Sequence, residues 1–218
     1  DPVSGIKYGL VDYLYEKMTN DDPKRHKINI NDIFVPVKFD EPLKGNIYVV
    51  PATVKLTYQY IFKLAQLQSN IIFENDYMEE FIDNLAAKLK FDTAFIDTRT
   101  GINQWGAFSL LGFADQIVLI AFPNEENIEG LTNIIELMQK AGLNNYVVAM
   151  SKYEKDNEGL SLAKDFFDKF KDIKQEFLGI GYIPAVDMTG KYPFVDNIGP
   201  YKQLSNYIME SGAKPKIP

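Results

Sequence analysis

The sequence predicts an α/β protein with a mostly parallel sheet and helices on both faces, and two observations lead to this prediction. Short apolar runs alternate with amphipathic stretches through the second half of the chain. One such run, residues 93–97, ends in Asp97, and Gly101 follows four positions later. Strands that alternate with helices form βαβ units, and buried parallel strands carry polar residues to the carboxyl edge of the sheet.

The first half of the chain is less regular. An amphipathic helix is predicted over residues 9–18, and a short helical turn over 29–34. Residues 46–52 are predicted to form a buried strand that Pro51 interrupts. Helices are predicted over 57–68 and 76–90, and Asp76 is available to cap the second of them.

In the second half of the chain, strands are predicted over residues 93–97, 116–122, 145–151 and 176–183. Helices are predicted around 105–112, over 126–140 and 160–171, and around 201–211. Ala141 and Gly142 are expected to end the helix over 126–140. Because no linker or internal repeat divides the chain, we predict one domain over residues 1–218.

Composition excludes several classes of function. The formal charge of −7 argues against a nucleic-acid surface, which needs local basic density. The chain has no cysteine, which excludes thiolate metal sites and fits the cytoplasm, where we expect the protein to be. Its one histidine, His26, lies in a polar stretch, so imidazole chemistry is not expected. Two prolines interrupt the tail over residues 211–218, which argues against a membrane-anchoring helix there.

Asp97 and Gly101 have the spacing of a Mg²⁺ ligand followed by a glycine that brings a backbone N–H close to a γ-phosphate. The alternative is that Asp97 caps the turn after its strand, and the spacing alone does not decide between the two. The neighbouring residues 113–131 read FADQIVLIAFPNEENIEGL. With the D-x-x-x-G string at 97–101, this segment resembles the ParA/MinD family of deviant Walker A, SIMIBI-class P-loop ATPases.

The resemblance extends to residues 8–14, 47–52 and 178–184, in the order that the family has them, and it covers nearly the whole chain. It implies that Asp97 is the Walker B acid near Mg²⁺ and that Gly101 is the switch glycine near the γ-phosphate. Arg99 departs from the proline or alanine that is common in this switch. A contact with phosphate, a contact with a partner and a pairing with a surface acid remain open for Arg99.

The resemblance also implies a site for the base of the nucleotide. Ser151 and Lys152 stand where family members often contact the base, and Pro184 to Asp187 would flank it. The serine hydroxyl is shorter than the asparagine amide and less able to make two hydrogen bonds to one base. Whether Ser151 recognises adenine is therefore left open. The alternative for Ser151 and Lys152 is a solvent-exposed strand end.

The phosphate loop of the family, G-K-G-G-x-G-K-[ST], does not occur in the 218 residues. Without it there is no backbone nest for phosphates and no lysine for the transferred group. We therefore expect the gene product to hold a first strand and this loop in an N-terminal segment, and we expect the present chain alone not to hydrolyse ATP. A sheet without that strand would have two apolar strands with unpaired inner edges.

Two functions remain at this point. The resemblance implies an ATPase that binds ATP and Mg²⁺, forms a homodimer and acts as a nucleotide-dependent switch for a regulatory protein partner, in partitioning, positioning or regulation. The alternative is a non-catalytic α/β interaction module that has lost the phosphate loop.

Overall fold

The structure is a computed structural model that describes residues 5–20, 27–37, 45–98, 103–122, 124–153, 161, 164–166, 168, 177–181, 204–206 and 208–209. Only the backbone is described for residues 69–70, 104, 108, 110–111, 151–153 and 177–181. Contacts divide the chain into two compact units, Asp1–Asp97 and Thr98–Pro218. The single domain over residues 1–218 stays a prediction.

The first unit is mainly helical. It contains α1 (Leu10–Thr19), a 3₁₀ turn (Ile30–Asp32), α2 (Tyr58–Gln66), α3 (Ser69–Glu74) and α4 (Tyr77–Leu89). The predicted helices over 9–18, 57–68 and 76–90 and the predicted turn over 29–34 are confirmed. The core of the unit forms where α1 buries Tyr13 and Leu14, and the Tyr13 ring lies 5.2 Å from the ring of Phe81 in α4.

The start of α1 is held by the chain around residue 52. The backbone N–H groups of Leu10 and Val11 donate to the carbonyls of Pro51 and Ala52, at 2.9 and 3.1 Å. The Asp12 carboxylate accepts the Gly9 N–H at 3.0 Å. These bonds satisfy donors that a helix start leaves without partners. They also bring the Gly9 backbone against Ala52 so closely that a side-chain carbon at Gly9 would overlap it.

Of the buried strand predicted over residues 46–52, the structure has only Tyr48–Val49 as a strand, and the predicted burial is wrong. The unit holds a two-stranded antiparallel sheet in which β1 (Val35–Pro36) pairs with β2 (Tyr48–Val49). Ile47 and Val49 are exposed. The strand ends early because the next carbonyl groups, from Pro51 onward, bind the start of α1 instead of another strand.

The predicted capping role of Asp76 is also wrong. Asp76 precedes α4 but makes no side-chain capping bond. Its backbone is left-handed, with φ 55°. An N-cap side chain normally reaches the first-turn N–H groups from an extended backbone, which Asp76 does not have.

The second unit holds a parallel sheet. A short helix, α5 (Gln104–Phe108), leads into a π-helical turn over Ser109–Phe113. Then come β3 (Ile117–Ala121), α6 (Glu125–Lys140), β4 (Tyr146–Tyr153) and β5 (Phe177–Gly181). The three strands are parallel and lie in the order β3-β4-β5. The predicted helices around 105–112 and over 126–140 and the predicted strands over 116–122, 145–151 and 176–183 are confirmed.

The core of this unit lies between the sheet and α6. Ile117 and Leu119 of β3 are buried in one cluster with Ile135 of α6 and with residues of β4. α6 ends at Lys140 and is followed, as predicted, by Ala141 and Gly142, and the Gly142 φ of 73° is the left-handed geometry that glycine allows. Two further predicted helices are described only at some positions, and those positions are helical: 161, 164–166, 168, 204–206 and 208–209.

Residues 92–98 form no strand, so the strand predicted over 93–97 is wrong for this structure. Phe95 is 78% exposed, and Ile96 is exposed as well. A strand needs a neighbour for its backbone N–H and C=O groups, and none of the described residues pairs with this segment. The described residues contain three parallel strands of such a sheet. The mostly parallel sheet with helices on both faces stays a prediction.

Candidate functional site

Six residues were predicted to form the nucleotide site, and the structure describes three of them. Asp97 is exposed and follows the segment that forms no strand. Ser151 and Lys152 lie in β4, at its carboxyl end. Gly101, Pro184 and Asp187 lie outside the described residues. Arg99 lies outside them too.

Ser151 and Lys152 coincide with an irregularity of the sheet. Met150 is paired with Gly179, and Tyr153 is paired with Gly181. Between these two pairs β4 advances by three residues and β5 by two, so β4 contains one extra residue. The extra residue makes a register shift of the β-bulge kind, and such irregularities bend a strand and re-aim a side chain, often beside a functional site. The sequence of this segment has no glycine or proline to signal it.

The three parallel strands end at a common edge. β3 ends at Ala121, β4 at Tyr153 and β5 at Gly181. Ligands of open α/β sheets bind at the carboxyl ends of the strands. The carboxyl end of β4, which holds Ser151 and Lys152, and the carboxyl end of β5, which Pro184 and Asp187 follow in the sequence, therefore lie at one edge of the sheet.

The loop after β3 leaves the same edge and leads into α6. The Asn124 side chain accepts the Asn127 N–H at 2.9 Å and so caps this helix. Glu125 and Glu126 occupy the first turn and are exposed. Acidic residues compensate the positive end of a helix dipole, and they repel a phosphate. The start of α6 is therefore poorly suited to bind the phosphates of a nucleotide.

The described residues contain no group of three or more acidic, histidine or cysteine side chains that could hold a metal ion. Asp97 supplies a single carboxylate. Mg²⁺ usually keeps several waters and binds one or two carboxylates together with the phosphates of its substrate. Asp97 therefore fits Mg²⁺ that arrives with a nucleotide, and when bound the ion would neutralise phosphate charge.

Of the perturbed titratable groups among the described residues, Tyr146 lies at the amino end of β4, and Lys7, Tyr13 and Lys17 belong to the first unit. Burial raises the pKa of the Tyr146 phenol, and the nearby Gln139 amide partly offsets the effect. Burial also raises the pKa of Tyr13, an effect that the Lys17 charge partly offsets. Both tyrosines belong to hydrophobic cores, so their pKa shifts indicate packing and not catalysis.

A shallow cavity lies at the opposite end of the sheet. It is lined by Ala114, Ile117, Leu143, Asn144 and Asn145, near the amino ends of β3 and β4. The Asn145 amide donates to the Asp115 carbonyl beside it. Because the predicted nucleotide residues lie at the carboxyl edge, this cavity is not part of the predicted site.

No helix among the described residues is long and apolar enough to cross a membrane. Comparison of the chain with protein-family models, with curated proteins and with solved structures gives no match in any of the three. The resemblance to the ParA/MinD family therefore rests on the sequence motifs alone.

Proposed function

We propose that this chain is part of a ParA/MinD-like ATPase that binds ATP and Mg²⁺ in the cytoplasm. In the complete protein it acts as a nucleotide-dependent dimeric switch for a regulatory protein partner. The observation that carries the proposal is the parallel order β3-β4-β5 with α6 as the crossover helix. This order supports the proposal because it places the carboxyl ends of β4 and β5 at a common edge, where α/β sheets bind nucleotides.

The outer edge of the sheet also supports the proposal. β3 has a partner on one side only among the described strands, and Ile120 on its uncovered face is 64% exposed. The apolar segment over 93–97 has no ladder partner in the described part of the chain either. An exposed apolar edge strand can accept a further strand. In our proposal that strand and the phosphate loop come from outside these 218 residues.

The roles follow the resemblance residue by residue. Asp97 orients the water shell of Mg²⁺, and Gly101 approaches the γ-phosphate. Ser151 and Lys152 contact the base from the bulged end of β4, while Pro184 and Asp187 flank it. Hydrolysis belongs to the complete protein, and the present chain alone is proposed to be inactive.

A binding experiment tests this function. A fluorescent ATP analogue is titrated into the full-length gene product, once with excess Mg²⁺ and once with EDTA. Asp97→Ala should weaken binding in Mg²⁺ by about 10-fold or more, which is the usual cost of losing a group that orients a metal's ligands. In EDTA the two proteins should bind alike. Asp92→Ala is the matched control, because Asp92 is an exposed carboxylate of the same segment, and it should change neither affinity.

Equal Mg²⁺-dependent affinity in the wild type and Asp97→Ala would refute the role of Asp97. If the full-length product binds no nucleotide and its coding sequence holds no phosphate loop, the proposed function fails. The interaction module that has lost the loop is then the remaining function.

A further inference from the structure

The Glu16 side chain of α1 binds the backbone of a later part of the chain. One carboxylate oxygen accepts the Lys27 N–H at 2.8 Å, and the other accepts the Ile28 N–H at 2.9 Å. Successive backbone N–H groups can hold an anion between them, and here the anion is a carboxylate of the same protein. Because the acceptor is charged, these two hydrogen bonds are stronger than bonds between neutral groups.

The two amides that Glu16 binds lead directly into the 3₁₀ turn Ile30–Asp32. Ile33, the residue after this turn, is fully buried. We call the stretch over residues 27–33 the turn segment. None of its residues before Ile33 is buried, so the core holds the turn segment at one end only. The Glu16 carboxylate holds it at the other end.

The turn segment also holds the residues that lead into α1. The Asp32 carbonyl accepts the backbone N–H groups of Lys7 and Tyr8, at 3.0 and 3.3 Å. The Asp32 carboxylate lies 3.0 Å from the Lys7 Nζ, but the Lys7 side chain is exposed, so this ion pair contributes little. Hydrogen bonds therefore connect Glu16 with the turn segment, and the turn segment with the residues just before the helix on which Glu16 lies.

From these contacts we propose that Glu16 is a latch, a positioning residue whose release opens one local part of the first unit. While its carboxylate holds the two amides, the turn segment and residues 7–8 stay fixed to α1. When it releases them, both stretches open together. The contact between Tyr13 of α1 and Phe81 of α4 persists, because it involves neither stretch. Proteins commonly open in such cooperative local units, at a lower free energy than global unfolding.

Hydrogen exchange of the full-length gene product without nucleotide, resolved to single amides, tests the latch. Glu16→Ala should speed exchange at Lys27 and Ile28 by at least about 10-fold, because each amide loses a hydrogen bond to a charged group. Exchange at Lys7 and Tyr8 should speed up with them. Glu16→Gln keeps a neutral acceptor oxygen, so it should speed exchange at these four amides less than Glu16→Ala does.

Glu80→Ala is the matched control. The Glu80 carboxylate of α4 binds a side chain of the same helix α1, the Lys17 Nζ at 2.7 Å. Its loss should leave exchange at the four amides unchanged. This control separates the loss of the latch from the loss of any carboxylate that contacts α1.

Three results would overturn the latch. Exchange at Lys27 and Ile28 that stays unchanged in Glu16→Ala would show that the carboxylate does not hold them. Faster exchange at these two amides alone would show that they do not open together with residues 7–8. Equally faster exchange throughout α4 would show that Glu16 stabilises the whole unit and not one part of it.

Discussion

Tyr146 is the largest fully buried side chain of the sheet, and its hydroxyl makes no hydrogen bond of normal geometry in the described structure, although the Gln139 amide lies near enough to lower its pKa. It lies in the cluster formed by β3, β4 and α6. The sequence predicts that residue 146 lies in a strand, because a run of apolar residues follows it. Whether its hydroxyl finds a partner depends on which side chains α6 brings to it, and local pattern does not contain that information.

Replacing Tyr146 by phenylalanine should therefore stabilise the protein. Removing an unpaired buried hydroxyl relieves its desolvation cost, so we expect the free energy of unfolding in urea to rise by about 1 kcal/mol. Tyr13→Phe is the control and should lower it, because the Tyr13 hydroxyl interacts with Lys17 and Asn84. A loss of stability of about 1 kcal/mol in Tyr146→Phe would contradict the assignment, because it would mean that the hydroxyl has a partner.

The same substitution has a pH dependence with a definite sign. Burial raises the pKa of Tyr146 above the ordinary 10.0, so the folded protein holds this proton more tightly than the unfolded chain. The resulting stability is fully present below pH 10 and is lost as the pH rises through the raised pKa. Tyr146→Phe should show a shallower alkaline decline than the wild type.

At the scale of elements, the sequence predicts those features that are encoded locally. α6 starts after Asn124 because this side chain caps the helix. The helix stops before Gly142 because this glycine adopts a left-handed backbone. Both residues are next to the helix in the sequence, so local sequence is enough to predict its two ends. The strand predicted over 46–52 is reduced to Tyr48–Val49 and the strand predicted over 93–97 is wrong, because a strand extends only where a neighbour accepts its hydrogen bonds. Pro51 and Ala52 bind α1, and no described strand pairs with the segment before Thr98.

Two glycines should respond to alanine in opposite directions. At Gly9 an added Cβ would lie 2.5 Å from the Thr53 Cα and overlap the Ala52 carbonyl, so Gly9→Ala should cost about 1–3 kcal/mol. Gly130 lies within α6 with open space around it, so Gly130→Ala should stabilise the protein by about 0.5–1 kcal/mol. Urea unfolding measures both, and a Gly9→Ala protein as stable as the wild type would contradict the close approach of α1 to residue 52.

At the scale of the whole molecule, the sequence indicates the residue types of the proposed nucleotide site more readily than their assembly. Motifs and strand ends single out Asp97, Ser151 and Lys152 as candidates, and their roles stay a proposal. The bulge between Met150 and Tyr153 could not be predicted, because it arises from the register between β4 and β5. How Asp97 meets the sheet depends on strand pairing that the described residues do not contain.

Hydrogen exchange of the full-length gene product, with and without Mg²⁺ and ATP, tests the nucleotide site most directly. We expect slower amide exchange in three segments when Mg²⁺ and ATP are added: residues 97–101, 151–153 and 182–187. Exchange in α2, over Tyr58–Gln66, should not change, because this helix contains none of the proposed nucleotide residues. Bound nucleotide that leaves all three segments unchanged would contradict the proposed site.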